Sequence, residues 1–339
     1  MHTPKVSVII PCRNEKVYIE NCVNAILSND FDATSIEVII VDGFSDDGTR
    51  KIIKDKILKN PSVKLIDNPA KKTPHAFNLG IENSTGEYII IVGARCVISV
   101  NYIRTCIDIL YKDTSIGCVG GRVENIYENK RSKLIAYAMS SPFGVGGGNF
   151  RIKNKDGFVD TVGTPAYRKS IFSEIGLFDI QLVRNQDDEL NYRLIKNGYK
   201  IYFTVKTSLS YYVRADYKKL FRQYYQYGYW KIFINKKHKT ITTVRQLVPL
   251  IFLLYLTGGI VLSLFSKWIF FTFSALWLVY IIMGVYSAFQ VSRILRYIPE
   301  IIYAFFILHI SYGYGYFIGF IRFIVLGKKP HKSSEKLSR

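Results

Sequence analysis

Strand-length apolar runs that end in polar turns recur through residues 1–125. Val6–Ile10 leads into the polar segment Pro11–Glu15, and Glu37–Val41 leads into the acidic, glycine-containing turn Asp42–Thr49. Three further runs of this kind are Val63–Ile66, Tyr88–Val92 and Cys118–Val123. Helix-length segments separate the runs, so we predict an α/β fold with a three-layer, mostly parallel sheet. Since ligands bind at the carboxyl ends of parallel strands, these polar segments predict a site for a polar ligand such as a nucleotide.

The regular alternation of strands and helices stops after residue 125. Ser140–Asn149 is rich in glycine and serine and is predicted to be a flexible loop. A helix is expected over Arg168–Ile175, and another should begin at the acidic cluster Gln186–Glu189 and end near Gly198. Two separate strands are then predicted, at Lys200–Val205 and Leu209–Val213.

The composition favours a membrane-associated protein. The chain is 49% hydrophobic and carries a formal net charge of +20 over 339 residues, a combination typical of proteins on anionic membrane surfaces. Nucleic-acid binding would also explain the charge, but the apolar C-terminal part argues against it. The five cysteines are odd in number and lack C-x-x-C spacing, which predicts buried thiols in a reducing compartment. The N-terminus has no signal-peptide pattern, and we expect a cytosolic N-terminal domain.

Residues 211–240 combine many Lys and Arg with many Tyr, Phe and Trp side chains. This mixture predicts a helix at the level of the lipid headgroups. An ordinary basic helix that packs its aromatic side chains on the preceding domain would give the same pattern.

Three long uncharged runs follow, and each is long enough to span a bilayer. The first two should form a hairpin around Lys267, which leaves Arg293 and Arg296 on the cytosolic side, as the positive-inside rule prefers. If the third run also spans, Lys328–Lys332 lies outside against that rule, and its glycine–tyrosine segment Ser311–Tyr316 could break a helix. We predict three spans, with two spans plus a re-entrant or interfacial segment as the alternative. The expected helices are 247–266, 268–290 and 300–322, and the expected regions are a cytosolic domain over 1–240, a membrane region over 241–326 and a basic tail over 327–339.

Six short motifs occur in a fixed order: Val6–Glu15, Val41–Thr49, Pro74–Gly80, Ser141–Gly146, Val183–Arg193 and Tyr225–Lys231. Together they resemble the family-2 inverting glycosyltransferases, which have the nucleotide-sugar-binding fold called GT-A. The likeness is greatest to the branch that includes the bacterial succinoglycan-type exopolysaccharide transferases. One such motif alone is weakly specific, whereas the ordered set over about residues 4–235 is specific.

The resemblance implies a nucleotide-sugar donor, a UDP-sugar, and indicates which residues bind it. Asp42 corresponds to the acid that accepts a hydrogen bond from the base, although turn formation or helix capping would also explain Asp42 and Asp47. Asn78 falls where the family motif lines the donor site, although it could be a helix surface residue. The full set of donor-side positions is Pro11, Arg13, Glu15, Asp42, Ser45, Asp47, Asn78 and Arg95.

The acidic cluster supplies the expected catalytic group. Asp187 corresponds to the family's base, which takes the proton of the acceptor hydroxyl while that oxygen attacks the anomeric carbon. Asp188 and Glu189 complete the candidate catalytic set. A structural explanation exists, since acids near a helix N-terminus stabilise the helix dipole.

One position departs from the family pattern. Members usually follow the fourth strand with Asp-x-Asp or Asp-x-His, whose acid holds Mg²⁺ or Mn²⁺ against the diphosphate. Here Gly93 and Arg95 stand at those positions, and neither has a side-chain oxygen for such a metal. Arg95 could neutralise the diphosphate itself, other acids could hold the metal weakly, or catalysis could be lost. We favour Arg95 and predict no metal ligand at Gly93.

The resemblance implies a membrane-anchored, inverting glycosyltransferase at the inner face of the cell membrane. It would transfer a sugar to a lipid-linked or glycan acceptor in surface polysaccharide synthesis, with no role for nucleic acid. Ser140–Asn149 and Val162–Thr164 are acceptor-side loops by family position. The alternative is a catalytically silent, sugar-nucleotide-binding membrane scaffold in a glycan assembly complex.

Overall fold

The computed structural model of the chain describes residues 5–146, 152–213, 216–242 and 244–331. The fold divides into two compact units. Unit 1 comprises Met1–Asn125 and Lys153–Tyr212, and unit 2 comprises Ile126–Ile152 and Val213–Arg339. The division at residue 240 into a cytosolic domain and a membrane region stays a prediction.

Unit 1 is built on one mixed β-sheet. In the described residues its strands are β1 (Val6–Cys12), β2 (Ile36–Asp42), β3 (Val63–Asp67), β4 (Tyr88–Ile91), β5 (Cys96–Ile98), β6 (Ile116–Ile126), β7 (Gly157–Val159), β8 (Ala166–Arg168) and β9 (Lys200–Tyr212). The order is β3-β2-β1-β4-β8-β6-β9-β5, and β7 pairs with β9. The pairs β1–β2, β2–β3 and β1–β4 are parallel, whereas β4–β8, β6–β8, β5–β9 and β7–β9 are antiparallel. The predicted α/β class is confirmed.

The helices follow the strands in alternation through the first part of unit 1. In the described residues they are α1 (Ile19–Leu27), α2 (Thr49–Ile52), α3 (Thr73–Glu82), α4 (Tyr102–Lys112), α5 (Lys130–Met139), α6 (Pro142–Val145), α7 (Ile171–Ile175), α8 (Gln186–Lys196), α9 (Tyr217–His238), α10 (Val248–Ser263), α11 (Lys267–Val291) and α12 (Ile298–Phe320). Wider π turns extend α2 over Ile53–Ile57 and α12 over Ile321–Val325. Helices α5, α6 and α9–α12 belong to unit 2.

The central parallel strands are buried along their length. Every residue of β2 is buried, and in β1 only Pro11 is partly exposed. Their Val and Ile side chains suit a sheet covered on both faces, because branched side chains pack well on a pleated surface. The five cysteines, Cys12, Cys22, Cys96, Cys106 and Cys118, are buried in this unit.

The buried carboxylate of Glu37 links β1, β2 and β3 and the turn before β4 by hydrogen bonds at the amino-terminal ends of these strands. Glu37 of β2 accepts hydrogen bonds from Ser7 Oγ at 2.5 Å and from the Thr85 amide at 2.5 Å. It also accepts from Thr85 Oγ1 at 2.9 Å and from Lys64 Nζ at 3.1 Å. Burial alone would raise the pKa of Glu37, but these hydrogen bonds outweigh burial and lower the pKa to about 2.

The structure corrects several element boundaries. β9 is one continuous strand, so the prediction of two strands at Lys200–Val205 and Leu209–Val213 is wrong. The helix predicted from Arg168 begins at Ile171, because Arg168 ends β8. The predicted loop Ser140–Asn149 contains the short helix α6, and its residues 147–149 lie outside the described ones.

Among the described residues, three helices of unit 2 are long and apolar enough to cross a membrane. They lie where the sequence predicts them. α10 has no buried residue, and in α11 only Gly284 and Ala288 are buried. Such exposed apolar surface suits contact with lipid. In the third segment, Leu295–Val325, half of the apolar window is buried inside the fold.

The glycine–tyrosine segment of α12 does not break the helix. Gly313, Gly315 and Gly319 are buried within the continuous helix α12. A Cβ atom added at Gly313 would meet the backbone oxygen of Pro249 in α10, and one at Gly315 would meet that of Tyr225 in α9. The glycines therefore allow close helix packing, which is the role of small residues between apolar helices.

Candidate active site

Two loops at the carboxyl ends of β1 and β2 are joined by hydrogen bonds. The Asn14 amide donates to Ser45 Oγ at 2.8 Å, and the Asn14 side chain donates to Asp46 at 2.8 Å and accepts from the Asp46 amide at 3.0 Å. The Glu15 amide donates to Thr49 Oγ1 at 2.9 Å. Asn14 has φ 57°, a left-handed conformation that asparagine tolerates better than most residues. The predicted donor-side segments thus form one connected surface.

Asp42 lies beneath this surface and is fully buried. Its carboxylate accepts hydrogen bonds from Ser45 Oγ at 2.5 Å and from the Ser45 amide at 3.0 Å. Arg50 NH1 also donates to it, at 2.9 Å. These contacts support turn formation as a role of Asp42, and its contact with a base stays a prediction.

Arg50 is a residue that the sequence motifs did not single out. Its guanidinium bridges the carboxylates of Asp42, at 2.9 Å, and Asp67, at 2.7 Å. The hydrogen bond that Arg50 donates to Asp67 raises the pKa of Arg50, and its bond to Asp42 acts in the same direction. The arginine therefore joins the ends of β2 and β3. The sequence signal that could have indicated this role is the position of Arg50 in the first turn of α2, shortly after the end of β2.

Asp47 lies in the turn before α2. Its carboxylate accepts from the Thr49 amide at 2.9 Å, from Thr49 Oγ1 at 2.5 Å and from the Lys16 amide at 3.1 Å. Burial would raise the pKa of Asp47, but these hydrogen bonds lower it overall. The N-cap of α2 is Gly48, so the described contacts of Asp47 stabilise the turn that leads into the helix, and its contact with donor stays a prediction.

The remaining donor-side residues of the first two strands lie in or beside the same loop. Pro11 pairs with Val41 in the β1–β2 register. The Arg13 side chain packs on Gly43, where an added Cβ atom would approach Arg13 Cδ to 3.1 Å. A glycine at position 43 therefore leaves room for Arg13 to lie against the β2 turn.

Glu15 and Arg95 form an ion pair across 80 residues of sequence. Arg95 Nε donates to Glu15 Oε2 at 2.7 Å, and the Arg95 and Glu15 side chains are 29% and 13% exposed. The Arg95 guanidinium also lies over the Tyr18 ring, 4.9 Å from its centroid. Burial would lower the pKa of Arg95, but Glu15 outweighs it and raises the pKa. A carboxylate and an aromatic face thus hold this cation in place.

Asn78 ties α3 to the segment that precedes α8. Its side-chain nitrogen donates to the Phe178 carbonyl at 2.9 Å, and its side-chain oxygen accepts from the Phe178 amide at 3.0 Å. The rings of Phe77 and Phe178 pack 4.7 Å apart beside these bonds. Both polar groups of Asn78 are therefore engaged in positioning the chain, and its contact with donor stays a prediction.

The three acids at the start of α8 have different surroundings. Asp187 is exposed and Asp188 is partly exposed, whereas Glu189 is fully buried. Burial raises the pKa of Tyr167 in β8, and the charge of Asp187 raises it further, so the Asp187 carboxylate lies near that strand. β8 pairs with β4, the strand that leads to Gly93 and hence to Arg95.

Glu189 contacts Arg193, the last residue of the motif Val183–Arg193, to which the sequence assigns no role. Its carboxylate accepts from Arg193 NH2 at 2.8 Å and from Arg193 Nε at 3.0 Å. Arg193 also donates to the carbonyls of Gly176, at 3.0 Å, and Leu177, at 2.8 Å. This geometry indicates a structural role for Glu189, namely holding Arg193 against the turn after α7. Its assignment to the catalytic set stays a prediction.

The loop Val162–Thr164 lies at the carboxyl end of β4, and its acceptor-side role stays a prediction. The Ile91 amide at the end of that strand donates to the Pro165 carbonyl at 3.0 Å. Tyr102 donates its hydroxyl to the Thr164 carbonyl at 2.6 Å, and Thr164 has φ 49°. This loop therefore lies at the same edge of the sheet as Gly93. A loop that contacts an acceptor would need this position, because the predicted donor-side residues lie at that edge.

A family model described as Glycosyl transferase family 2 matches residues 7–176. The match spans about half of the chain. The chain belongs to this family. The glycosyltransferase activity class expected from the ordered motifs is therefore confirmed.

Two of the similar proteins are named for sugar transfer to a dolichyl-linked sugar and for succinoglycan biosynthesis. The dolichyl N-acetyl-alpha-D-glucosaminyl phosphate 3-beta-D-2,3-diacetamido-2,3-dideoxy-beta-D-glucuronosyltransferase of Methanococcus voltae is 32% identical over 230 residues, which cover 66% of this chain and 71% of that protein. Succinoglycan biosynthesis protein ExoA of Rhizobium meliloti is 30% identical over 245 residues, which cover 72% of this chain and 74% of that protein. The likeness to the succinoglycan branch is confirmed.

Solved structures show the fold. The mannosyltransferase PcManGT from Pyrobaculum calidifontis, in complex with GDP-Man and Mn²⁺, has a TM-score of 0.50 and 18% identity, covering 66% of this chain and 62% of that one. S. aureus TarS 1-349 in complex with UDP-GlcNAc has a TM-score of 0.51 and 19% identity, covering 62% of this chain and 59% of that one. The glycosyltransferase thus spans less than two thirds of these solved chains. Their likeness establishes the GT-A fold of this protein.

The residues after β4 do not fit a resident divalent metal. Mg²⁺ and Mn²⁺ prefer oxygen ligands, whereas Gly93 has no side chain and Arg95 presents a guanidinium held by Glu15. Among the described residues, no group of three or more His, Cys, Asp and Glu side chains is arranged to hold a metal ion.

Proposed function

We propose that this glycosyltransferase moves one sugar from a nucleoside-diphosphate donor, a UDP-sugar, to a lipid-linked saccharide and inverts the anomeric configuration. The observation that carries the proposal is the connected surface of the β1 and β2 loops, in the same unit as the exposed acid Asp187. Pro11, Arg13 and Ser45 would contact the nucleotide on this surface, with Asp42 and Asp47 holding its shape.

The proposed reaction is a single displacement. Asp187 takes the proton of the acceptor hydroxyl while that oxygen attacks the anomeric carbon. The bond between that carbon and the diphosphate oxygen breaks, and the nucleoside diphosphate leaves with the bonding electrons. Attack from the face opposite the leaving group inverts the configuration. Asp188, beside the base, would help to orient the acceptor.

The nature of the acceptor is argued from unit 2 and from the relatives. α10 and α11 expose apolar side chains along their length, which suits a protein anchored in the cell membrane. The Methanococcus voltae relative is named for action on a dolichyl-linked sugar, and the Rhizobium meliloti relative for succinoglycan biosynthesis. A lipid-linked acceptor at the cytoplasmic face, in surface polysaccharide synthesis, fits both.

We propose that Arg95 pairs with the donor diphosphate at the position where relatives place a metal. Nε is engaged by Glu15, which leaves the guanidinium oriented by a carboxylate on one edge and the Tyr18 ring on one face. Guanidinium groups pair with two phosphate oxygens at once, a geometry that a lysine ammonium lacks. Glu15 acts as a positioning residue in this arrangement.

The test of the base compares Asp187→Asn with Asp55→Asn, the same change at an exposed acid outside the site. Membranes that contain each full-length variant receive a panel of UDP-, GDP- and TDP-sugars and a lipid-linked acceptor extract. We expect one donor to turn over in the wild type and in Asp55→Asn, and turnover to be lost in Asp187→Asn. Donor binding without turnover in the wild type would instead support the sugar-nucleotide-binding scaffold.

The test of Arg95 uses the same membranes with and without EDTA. One charge-assisted hydrogen bond contributes about 1.5–3 kcal/mol, so we expect Arg95→Ala to lower kcat/KM by roughly 10- to 150-fold. Arg95→Lys should recover only part of this loss. Arg104→Ala removes an exposed arginine whose partner is Asp30, and it should have little effect. Strong inhibition of the wild type by EDTA, reversed by Mn²⁺, would contradict the role of Arg95 and leave that of Asp187 intact.

A further inference from the structure

Helices α9 and α12 of unit 2 run side by side in the same direction. Near their starts, the rings of Tyr217 and Tyr303 are 5.2 Å apart. Near their ends, Lys236 Nζ donates to the Phe323 carbonyl at 2.7 Å, and the rings of Phe233 and Phe323 are 5.3 Å apart. The two helices therefore extend over the same distance and in the same direction.

The middle of this pair is packed backbone to backbone. A Cβ atom added at Gly228 of α9 would meet the Tyr312 carbonyl of α12. One added at Gly315 of α12 would meet the Tyr225 carbonyl of α9. α9 and α12 are thus in contact near their starts, in their middles and near their ends, and they form a single packed pair. The two helices must therefore have the same orientation relative to a membrane.

The composition of α9 opposes a membrane crossing. Lys231 lies in its middle, together with the buried amides of Gln223 and Gln226. Each Lys or Arg at the centre of a spanning helix costs about 2.5–3.5 kcal/mol on insertion scales. The basic side chains of α9 are Lys218, Lys219, Arg222, Lys231, Lys236 and Lys237. If α12 crossed the membrane, this basic helix would have to cross beside it.

The order of the helices along the chain gives an independent argument. A hairpin of α10 and α11 that crosses twice returns the chain to the face where α9 ends, so α12 starts on that face. The end of α12 contacts the end of α9 through Lys236 and Phe323. Both ends of α12 therefore lie on one face of the membrane.

We infer that this chain crosses the membrane twice, through α10 and α11, and that the third apolar helix, α12, lies with α9 at the membrane surface. Aromatic residues on the exposed side of α12, such as Tyr303, Tyr314 and Phe320, suit the headgroup region of a lipid bilayer. Lys328 and Lys329 then lie on the same face as the basic helix α9, in agreement with the positive-inside rule. This inference does not depend on the sugar, the acceptor or the role of Asp187.

The test is cysteine labelling of the full chain in membrane vesicles from a bacterial host, with a membrane-impermeant maleimide. The five native cysteines are at most 7% exposed, which keeps background labelling low. Single substitutions at exposed positions mark the end of α9 (Lys237→Cys), the hairpin turn (Lys267→Cys) and the segment after α12 (Lys328→Cys). Right-side-out and inverted vesicles are labelled in parallel, and elution of each variant in detergent at the wild-type position on a size-exclusion column checks that it is folded.

We expect Lys328→Cys and Lys237→Cys to label in the same vesicle orientation, and Lys267→Cys in the opposite one. Labelling of Lys328→Cys together with Lys267→Cys would establish three crossings and overturn the inference. Labelling of all three positions in one orientation would overturn it as well, because the hairpin would then not cross.

Discussion

Glu37→Gln should destabilise the protein at neutral pH and much less at acidic pH. Glu37 is 5% exposed and accepts four hydrogen bonds, which together hold its pKa at about 2, against 4.5 for an ordinary glutamate. Each pKa unit corresponds to about 1.4 kcal/mol, so the carboxylate contributes about 3 kcal/mol at pH 7. Glutamine keeps an acceptor oxygen but loses the charge that Lys64 and the Thr85 amide stabilise.

The sign of the pH effect follows from the lowered pKa. The contribution of Glu37 is fully present above pH 4.5 and is lost as the pH falls through about 2. Between pH 7 and pH 3, about 2 kcal/mol of it should disappear. For a domain of 150–250 residues this corresponds to roughly 4–8 °C in Tm, so the Tm difference between wild type and variant should narrow by that amount.

The assay is thermal unfolding of the full chain in detergent at pH 7 and pH 3, followed by near-ultraviolet circular dichroism at tyrosine wavelengths, because all three tryptophans lie in unit 2 and Glu37 lies in unit 1. Glu20→Gln is the matched control, because Glu20 pairs with Lys56 at the surface, where the side chains are 37% and 59% exposed. Its effect on Tm should be small and independent of pH. A Tm difference for Glu37→Gln that is the same at both pH values would refute the reasoning.

Two further substitutions test packing away from the reacting atoms. Glu189→Gln should lower the free energy of unfolding by about 3 kcal/mol, because it leaves the largely buried Arg193 without its carboxylate. Thermal unfolding measures this, and an unchanged Tm with lost turnover would instead place Glu189 among the catalytic residues. Gly228→Ala should sharply reduce the yield of folded protein because its methyl group meets the Tyr312 carbonyl, whereas Gly258→Ala in α10 meets nothing within 4 Å and should be tolerated. Equal yields of the two variants would contradict the packing of α9 on α12.

Local sequence patterns were sufficient for the parallel part of the sheet. β1 and β2 consist mainly of Val and Ile, with Ser7 and Glu37 as polar exceptions near their starts, and the residues that follow them are typical of loops and helix starts. The short strands β5, β7 and β8 were not predicted, because three residues carry no periodicity. The sequence predicts two strands in place of β9 because Lys206, Thr207 and Ser208 resemble a turn. In the structure the Asn101 side chain donates to the Lys206 carbonyl at 3.0 Å and the Ser99 amide donates to the Ser208 carbonyl at 2.9 Å, and β9 is continuous through this segment.

The candidate site was predicted in outline but not in its contacts. The sequence indicates Glu15 and Arg95 separately, yet no local pattern could show that they pair, because they lie 80 residues apart. The sequence around Asp42 is likewise the same for a carboxylate that binds a ligand and for one that stabilises its own turn, so the sequence could not distinguish the two roles. The composition of α12 predicts a membrane-spanning helix, and only the structure shows that it packs along its length against the basic helix α9.

The hydrogen bonds between the β1 and β2 loops have a consequence for the energetics of ligand recognition. Asn14, Ser45, Asp46 and Thr49 hold both loops in one conformation through main-chain and side-chain contacts internal to unit 1. If a nucleotide binds to these loops as proposed, it meets a preorganised surface, and little conformational entropy of the loops is lost on association. Differences in affinity between one nucleotide and another should therefore arise from direct contacts rather than from loop ordering. In calorimetry, a series of nucleotides should show similar heat-capacity changes for equal buried apolar area.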